Sequence, residues 1–336
     1  MTESKVLTIS VAAYNVEKTL EKTLSSFNDS RVLNDLEVLI IDDGSYDNTY
    51  KIARSFEEKA PQTFRYIKKE NGGHGSTINK GIKLATGKYF KVVDGDDWVD
   101  TDNLYKFIQK LKNIDSDLVL TNYTEVYPTR SKNIKLISGM KTREYTWYDD
   151  INIERVALHT VTVKTELLRQ HNVHITEKCF YVDIEFVVWA AYVSQTIRYM
   201  DLYLYQYRLG ESEQSVAKKN MLKNVAMQEK VSYQLVKMYD QFVKSKNMAP
   251  RQEMTIFKTF KRSIGSTMRT YLLVNSRVAK KDIKQFDRNI KNISAISYDR
   301  LNADRFIRLT RAFNYNLVPE IKIAYGIWIK YKYREE

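Results

Sequence analysis

Two apolar runs in this chain end in clustered acids. Glu37-Val38-Leu39-Ile40-Ile41 leads into Asp42-Asp43-Gly44-Ser45, and Tyr89-Phe90-Lys91-Val92-Val93 leads into Asp94-Gly95-Asp96-Asp97-Trp98. Both runs read as buried strands. Carboxylates crowded at strand ends repel one another unless a cation or a donor-rich ligand accompanies them. Ligands of open α/β sheets lie beyond the carboxyl ends of the strands, so the pattern predicts one site shared by both acidic sets. A divalent metal holding a phosphorylated substrate is its simplest resident, and hard oxygen ligands point to Mg²⁺ or Mn²⁺ rather than zinc.

The elements that must carry these acids alternate. Val6–Ala13 reads as the first strand, and Leu20, Leu24 and Phe27 mark one face of the helix after it. Glu37–Ile41 follows, backed by a helix with Ile52, Ala53 and Phe56, then a short strand at Thr63–Lys68. Asn71-Gly72-Gly73-His74-Gly75 reads as a flexible loop, with Ser76 capping a helix that carries Ile78, Ile82 and Ala85. Beyond the second acidic set comes a helix with Leu104, Phe107, Ile108 and Leu111, then a strand at Asp117–Tyr123. This alternation predicts an α/β fold, a mostly parallel sheet flanked by helices. Residues 125–150 read as an excursion or hairpin, and Leu202–Tyr207 as a strand. Beyond about Asn220 the spacing of Phe257, Phe260, Ile264, Met268 and Tyr271 is helical, which puts a boundary near Gly210–Asn220.

Val11-Ala12-Ala13-Tyr14-Asn15, Ile41-Asp42-Asp43-Gly44-Ser45, Asn71-Gly72-Gly73 through Asn79-Lys80-Gly81, Ala85-Thr86-Gly87-Lys88-Tyr89 and Asp94-Gly95-Asp96-Asp97-Trp98 stand in one order. That order and spacing resemble the family-2 glycosyltransferases, inverting enzymes of the GT-A fold that use nucleotide sugars. The resemblance is dense over residues 5–100 and thins toward 216. It implies a catalytic domain over 1–216, with nucleotide-sugar binding in about 1–100 and the acceptor and base part in 101–216. A basic helical domain over 217–336 would follow it.

The resemblance makes Asp94-Gly95-Asp96 the Asp-x-Asp motif, with Asp96 the first metal ligand and Asp94 nearer the ribose. Asp43 would accept a hydrogen bond from a uracil, Tyr14 would lie against the ring, and Ala12 would sit beside the base where a proline is usual. Asp42 would hold the turn. Asn71, Gly73 and His74 of the glycine loop, with Asn79 after it, would approach the nucleotide, and Arg208 would clamp phosphate. Tyr207-Arg208-Leu209-Gly210 with Gln214-Ser215-Val216 resembles a segment that closes over the diphosphate. The base is implied at Asp183, within Phe180-Tyr181-Val182-Asp183-Ile184-Glu185-Phe186, with Val182 where a glutamate is common. Glu185 is the fallback and, with Trp98, an acceptor contact. The donor implied is a uridine diphosphate sugar, and the acceptor a hydroxyl of a bacterial surface glycan, lipid-linked or on a glycoprotein.

The chain has 336 residues, 43% of them hydrophobic, which is enough for one large or two moderate domains. No run approaches the roughly 18 apolar residues of a membrane span, and no basic-then-apolar leader opens it. Cys179 is the single cysteine, which excludes an internal disulfide and fits a reducing cytoplasm, with peripheral attachment at the inner face of a membrane. His171, His174 and Cys179 match no common zinc spacing. Residues 221–336 hold 24 Lys and Arg against 10 Asp and Glu, whereas 1–220 are near neutral. The tail therefore predicts an anionic partner, or a solvated face. Ile321, Ala324, Tyr325, Trp328 and Tyr331 form a stripe flanked by Lys322, Lys330, Lys332 and Arg334. That stripe fits a core or oligomer contact, or an anionic membrane surface. No nucleic-acid motif accompanies the charge. Two further functions fit the same acids: a sugar nucleotidyltransferase, or a non-catalytic adaptor binding membrane or nucleic acid through its tail.

Overall fold

The computed structural model describes residues 5–135, 137, 139–153, 155–210, 218–245, 247–274 and 279–332. The segment Gln214-Ser215-Val216, Arg334 and the side chains of Lys330, Tyr331 and Lys332 lie outside the described residues. The chain divides into two compact units, Met1–Glu211 with Ala249–Thr255, and Ser212–Met248 with Ile256–Glu336. The grouping of Ala249–Thr255 with the first unit departs from the contiguous division expected. Gln252 accounts for it: its amide Nε2 donates to the carbonyls of Ala191, Tyr192 and Ser194 at 2.9, 2.9 and 3.1 Å.

In the first unit β1 (Leu7–Ala13), β2 (Leu36–Asp42), β3 (Phe64–Lys68) and β4 (Tyr89–Asp94) alternate with α1 (Leu20–Ser25), α2 (Thr49–Lys59) and α3 (His74–Leu84). Then come β5 (Trp98–Val99), α4 (Thr101–Leu111), β6 (Leu118–Val126), β7 (Ser131–Ile134) and β8 (Glu144–Thr146). β9 (Val161–Lys164), α5 (Thr165–Gln170), α6 (Asp183–Val193) and β10 (Thr196–Arg208) complete it. The sheet order is β3-β2-β1-β4-β9-β6-β10-β5, with β7 on β6 and β8 on β10. Pairing is parallel across β3-β2-β1-β4 and mixed beyond: β9 runs antiparallel to β4 and β6, while β10 runs parallel to β6. The excursion at 125–150 is the β6–β7 hairpin followed by β8.

β1 is the pivot. Leu7, Ile9 and Val11 on one face and Thr8 and Ser10 on the other are buried, so this strand is covered on both faces, as central parallel strands require. Its register sets Ala13 opposite Asp42 and Ala12 opposite Asp94, which brings both acidic ends to one edge of the sheet. α4 fixes the chain just after the second acidic set. Asp100 caps it by accepting from Asn103 N–H at 2.8 Å, and Leu104, Phe107, Ile108 and Leu111 are wholly buried. Burial of each such side chain stabilises the fold by about 1.5–3 kcal/mol.

The second unit is helical among the described residues: α7 (Lys218–Lys223), α8 (Val225–Ser245), most of α9 (Pro250–Leu273), α10 (Ala279–Ile293), α11 (Ala295–Arg300), α12 (Arg305–Tyr315) and α13 (Val318–Lys332). The α9 stripe of Phe257, Phe260, Ile264, Met268 and Tyr271 is buried, with Tyr239 of α8 stacked on Phe260 at 5.0 Å. The stripe of α13 is not a buried core face: Trp328 is 52% exposed and Ala324 is open, while Ile321 and Tyr325 are half-buried. Among the described residues no helix is long and apolar enough to cross a membrane.

Part of the basic charge is structural. Asp287, wholly buried, accepts from Arg311 Nε and Nη2 at 2.8 and 2.7 Å and from the Tyr315 hydroxyl at 2.6 Å. Asp287→Ala leaves the Arg311 guanidinium, only 9% exposed, without its carboxylate, and is expected to cost about 3–5 kcal/mol in urea unfolding. Asp102→Ala, which removes a solvent-exposed partner of Arg31, is expected to leave the urea midpoint nearly unchanged.

Candidate active site

The first acidic set is spent on holding the chain together. Asp42 accepts from Ser45 N–H at 2.8 Å and the Tyr66 hydroxyl at 2.6 Å, which secures the turn through Gly44. Asp43, 3% exposed, accepts from the Gly72 and Gly73 amides at 2.9 and 2.7 Å, and from Lys69 Nζ at 2.5 Å. Ser76 Oγ adds 3.2 Å, and the Asp43 carbonyl receives Asn71 Nδ2 at 3.0 Å. The carboxylate expected to meet a base thus anchors the glycine loop. Tyr14 is half exposed at the rim of this region, its ring edge-on to Tyr46.

The second set divides by depth. Asp97 is 1% exposed and accepts from the Tyr205 hydroxyl at 2.6 Å and the Arg208 amide at 2.7 Å, so it binds β4 to β10. Burial, then the charges of Asp96 and Asp94, push its carboxyl well above the usual range. Gly95 is required by packing, because a Cβ there would lie 2.9 Å from the Ala12 carbonyl oxygen. Asp94 and Asp96 remain partly open. His74 Nε2 lies 2.9 Å from Asp94 Oδ1. Burial disfavours charge on both members, yet their mutual attraction outweighs it, lowering the Asp94 carboxyl and raising the His74 imidazole. Among the described residues no cation makes such a contact with the Asp96 carboxylate. Burial and the Asp94 charge push it up to about 6. Arg208 Nε donates at 2.8 Å to the Asp96 carbonyl, and the guanidinium lies 5.2 Å from the centre of the Trp98 ring, which Lys22 Nζ approaches to 3.3 Å.

A strap formed by residues 175–179 brings α6 to these acids. Lys178 N–H donates to the Gly72 carbonyl at 2.5 Å, and a Cβ on Gly75 would lie 2.1 Å from the Thr176 carbonyl oxygen. Gly73 holds φ at +79°, a conformation open to glycine. Asn79 spends its amide here: Nδ2 donates to the Ile175 carbonyl at 2.9 Å and Oδ1 accepts from Ile175 N–H at 2.8 Å. Glu185 is wholly buried and accepts from Thr176 N–H at 2.9 Å.

Two expectations are therefore corrected. Asn79 clamps the strap rather than facing a nucleotide, and Glu185 has no exposed surface with which to meet an acceptor or take its proton. Asp183, first residue of α6, is partly open. Burial raises its carboxyl and Asp94 adds to the rise, while His74 opposes it. The expectation of one site shared by both acidic sets is also corrected: Asp42 and Asp43 are committed elsewhere, and the open set is Asp94, Asp96 and Asp183 around His74. Among the described residues no three His, Cys, Asp or Glu side chains are placed to hold a metal ion by themselves.

His159 and Lys91 were not singled out as site residues in the sequence. His159 stacks against Tyr123 and lies 4.2 Å, ring centre to ring centre, from Tyr207, while Lys91 is wholly buried beneath them. The alternation of Tyr205 and Tyr207 was a usable signal for one aromatic sheet face; nothing local marked His159.

The sequence profile of glycosyl transferase family 2 matches residues 8–169. An uncharacterized glycosyltransferase of Mycoplasma pneumoniae, the MG060 homolog, is 36% identical over 152 residues, 44% of this chain and 48% of that protein. Glycosyltransferase GlyA of Streptococcus pneumoniae is 32% identical over 117 residues, 35% of this chain and 16% of its own length. The chain thus spans about half of one relative and a sixth of the other. Among solved structures, S. aureus TarS 1-349 in complex with UDP-GlcNAc superposes with a TM-score of 0.58 at 18% identity, covering 94% of this chain and 90% of that one. The mannosyltransferase PcManGT from Pyrobaculum calidifontis, in complex with GDP-Man and Mn²⁺, gives 0.52 at 16% identity over 100% and 89%. These likenesses are of fold, that of the GT-A glycosyltransferases. With the motifs in order and the acid-bearing strands inside it, the segment 8–169 is a glycosyl transferase family 2 domain.

Proposed function

We propose that this chain transfers a sugar, with inversion, from a nucleotide sugar to an acceptor hydroxyl. The observation that carries the reading is the grouping of Asp94, Asp96 and Asp183 around His74 at the carboxyl edge of the sheet. The donor is a uridine diphosphate sugar, in line with the UDP-GlcNAc complex of TarS. The acceptor is a hydroxyl of a glycan, lipid-linked or on a glycoprotein.

The donor set suits a divalent cation held jointly with the substrate. Mg²⁺ and Mn²⁺ use one or two carboxylates and complete their shells with phosphate oxygens and water. Asp96, with Asp94 beside it, is such a pair, and the upward push on Asp96 is the repulsion that a cation relieves. When bound, the ion neutralises charge growing on the departing diphosphate. The chain supplies the rest. Asp183 takes the proton of the acceptor hydroxyl while its oxygen forms the new bond to the anomeric carbon, and the old carbon–oxygen bond breaks with its electron pair leaving on the diphosphate. His74 holds Asp94 in place and stands ready to donate to a phosphate oxygen. Inversion follows from attack on the face opposite the departing group.

Asp183→Asn is expected to lower kcat by about 10²–10⁴-fold while leaving donor affinity, read by calorimetry, unchanged. Because burial raises the Asp183 carboxyl, the acid limb of kcat against pH is expected above the usual aspartate range, with activity rising as that proton leaves.

The metal pair has a readout independent of turnover. Folded, Asp96 titrates at about 6, against roughly 3.9 in an open chain. The folded chain therefore binds this proton more tightly, and stability falls as pH rises between those values. Asp96→Asn is expected to raise the unfolding midpoint at pH 7 and to leave it unchanged below about pH 4. Mn²⁺ is expected to raise the wild-type midpoint and not that of Asp94→Asn/Asp96→Asn. Equal shifts in both, or no release of UDP from any uridine diphosphate sugar tried with Mn²⁺, would refute the reading.

A further inference from the structure

Beside the acids stands a wall that the transfer just described does not use. Tyr205 and Tyr207 project from one face of β10. The Tyr205 hydroxyl accepts from Asp94 N–H at 3.2 Å and donates to Asp97, which ties the wall to the end of β4. Tyr207 is partly open, and Asp97, Asp94, Asp183 and Asp96 all act on its hydroxyl. His159 packs among three rings, 4.2 Å from Tyr207, 4.6 Å from Tyr205 and 5.1 Å from Tyr123. Its Nδ1 is buried with no hydrogen-bond partner among the described residues, and burial drives the imidazole down to about 3, so the ring is neutral.

Lys91 lies behind this wall. Its ammonium, wholly buried, donates to the carbonyls of His159 at 2.8 Å and Val161 at 3.2 Å. Burial alone pulls it down to about 7. A buried cation without a carboxylate costs several kcal/mol, and an apolar side chain of similar length would avoid that. What the lysine provides here is a fixed backbone at 159–161, the turn that presents His159.

A face of aromatic rings edged by the Tyr207 hydroxyl and the half-buried His159 imidazole matches a pyranose, whose C–H faces are apolar and whose rim carries hydroxyls. We propose that His159 and Tyr207 form a subsite for a sugar ring beside Asp94 and Asp183, with Lys91 as the residue that positions it. The inference deepens the glycosyl-transfer reading and rests on it. The ring is that of the transferred sugar or of the acceptor's terminal residue, and the two sources separate experimentally.

The test uses His159→Phe, which keeps the stacking and removes both nitrogens, Tyr207→Phe, which removes only the hydroxyl, and Lys91→Met. Calorimetry compares UDP with UDP-GlcNAc, and initial rates are taken with donor and acceptor varied in turn. Each variant is expected to raise by about tenfold either the Kd and KM for the nucleotide sugar or the KM for the acceptor, with the Kd for bare UDP unchanged. A rise on the donor side assigns the transferred sugar, and a rise on the acceptor side assigns the acceptor ring. Lys91→Met is expected to show the same sugar-specific loss without a fall in unfolding midpoint, which separates positioning from support of the fold. Unchanged constants, or equal loss for UDP and UDP-GlcNAc, would overturn the subsite. If the wild type binds and turns over no nucleotide sugar, the transfer reading fails first, and the two failures are distinguishable.

Discussion

Parallel pairing of β1 with both β2 and β4 decides where the charged groups of this protein meet. Strand direction carries two acidic turns to the same sheet edge, and a shift of one residue in either pairing would turn the acids to the other face. The edge cannot hold many free carboxylates, because each buried negative charge raises the next. Two ways of relieving that repulsion are present side by side. Asp42, Asp43 and Asp97 are given donors by the chain itself, and the outer pair is left short of them. Asp94 has a histidine, and Asp96 is held partly against its charge by burial.

The division explains why an acidic cluster in sequence translates into a smaller one in space. Asp43 and Asp42 differ from Asp94 and Asp96 only in what folds over them, namely Tyr66, Lys69 and the amides of the glycine loop. None of those contacts has a local signature at residues 42–43. The strands and helices through α4 were legible because apolar spacing reports burial directly, and α4 shows it, with all four predicted positions inside. Asp94 and Asp96 were legible because the motif around them is dense.

Long-range partners were not legible. Asn79 binds a backbone ninety-six residues away, and Glu185 is buried by a helix whose acidic first turn looks the same exposed or covered. His159 belongs to a turn with no periodic pattern, and only the fold sets it among tyrosines from β6 and β10. In the tail, helical spacing predicted the α9 core correctly but said nothing of which face of α13 would be covered. That helix is apolar on more than one side, and spacing cannot choose among sides.

The strap at 175–179 has a mechanical consequence. Glycine at 75, the amide of Asn79 and the carbonyl of Gly72 lock the approach to α6 onto the same loop that Asp43 anchors. The glycine loop and the helix bearing Asp183 are therefore one mechanical piece. Replacing either half alone would break the seam at Gly72, Gly75 and Asn79, so a disturbance at one end of the strap is transmitted to the other.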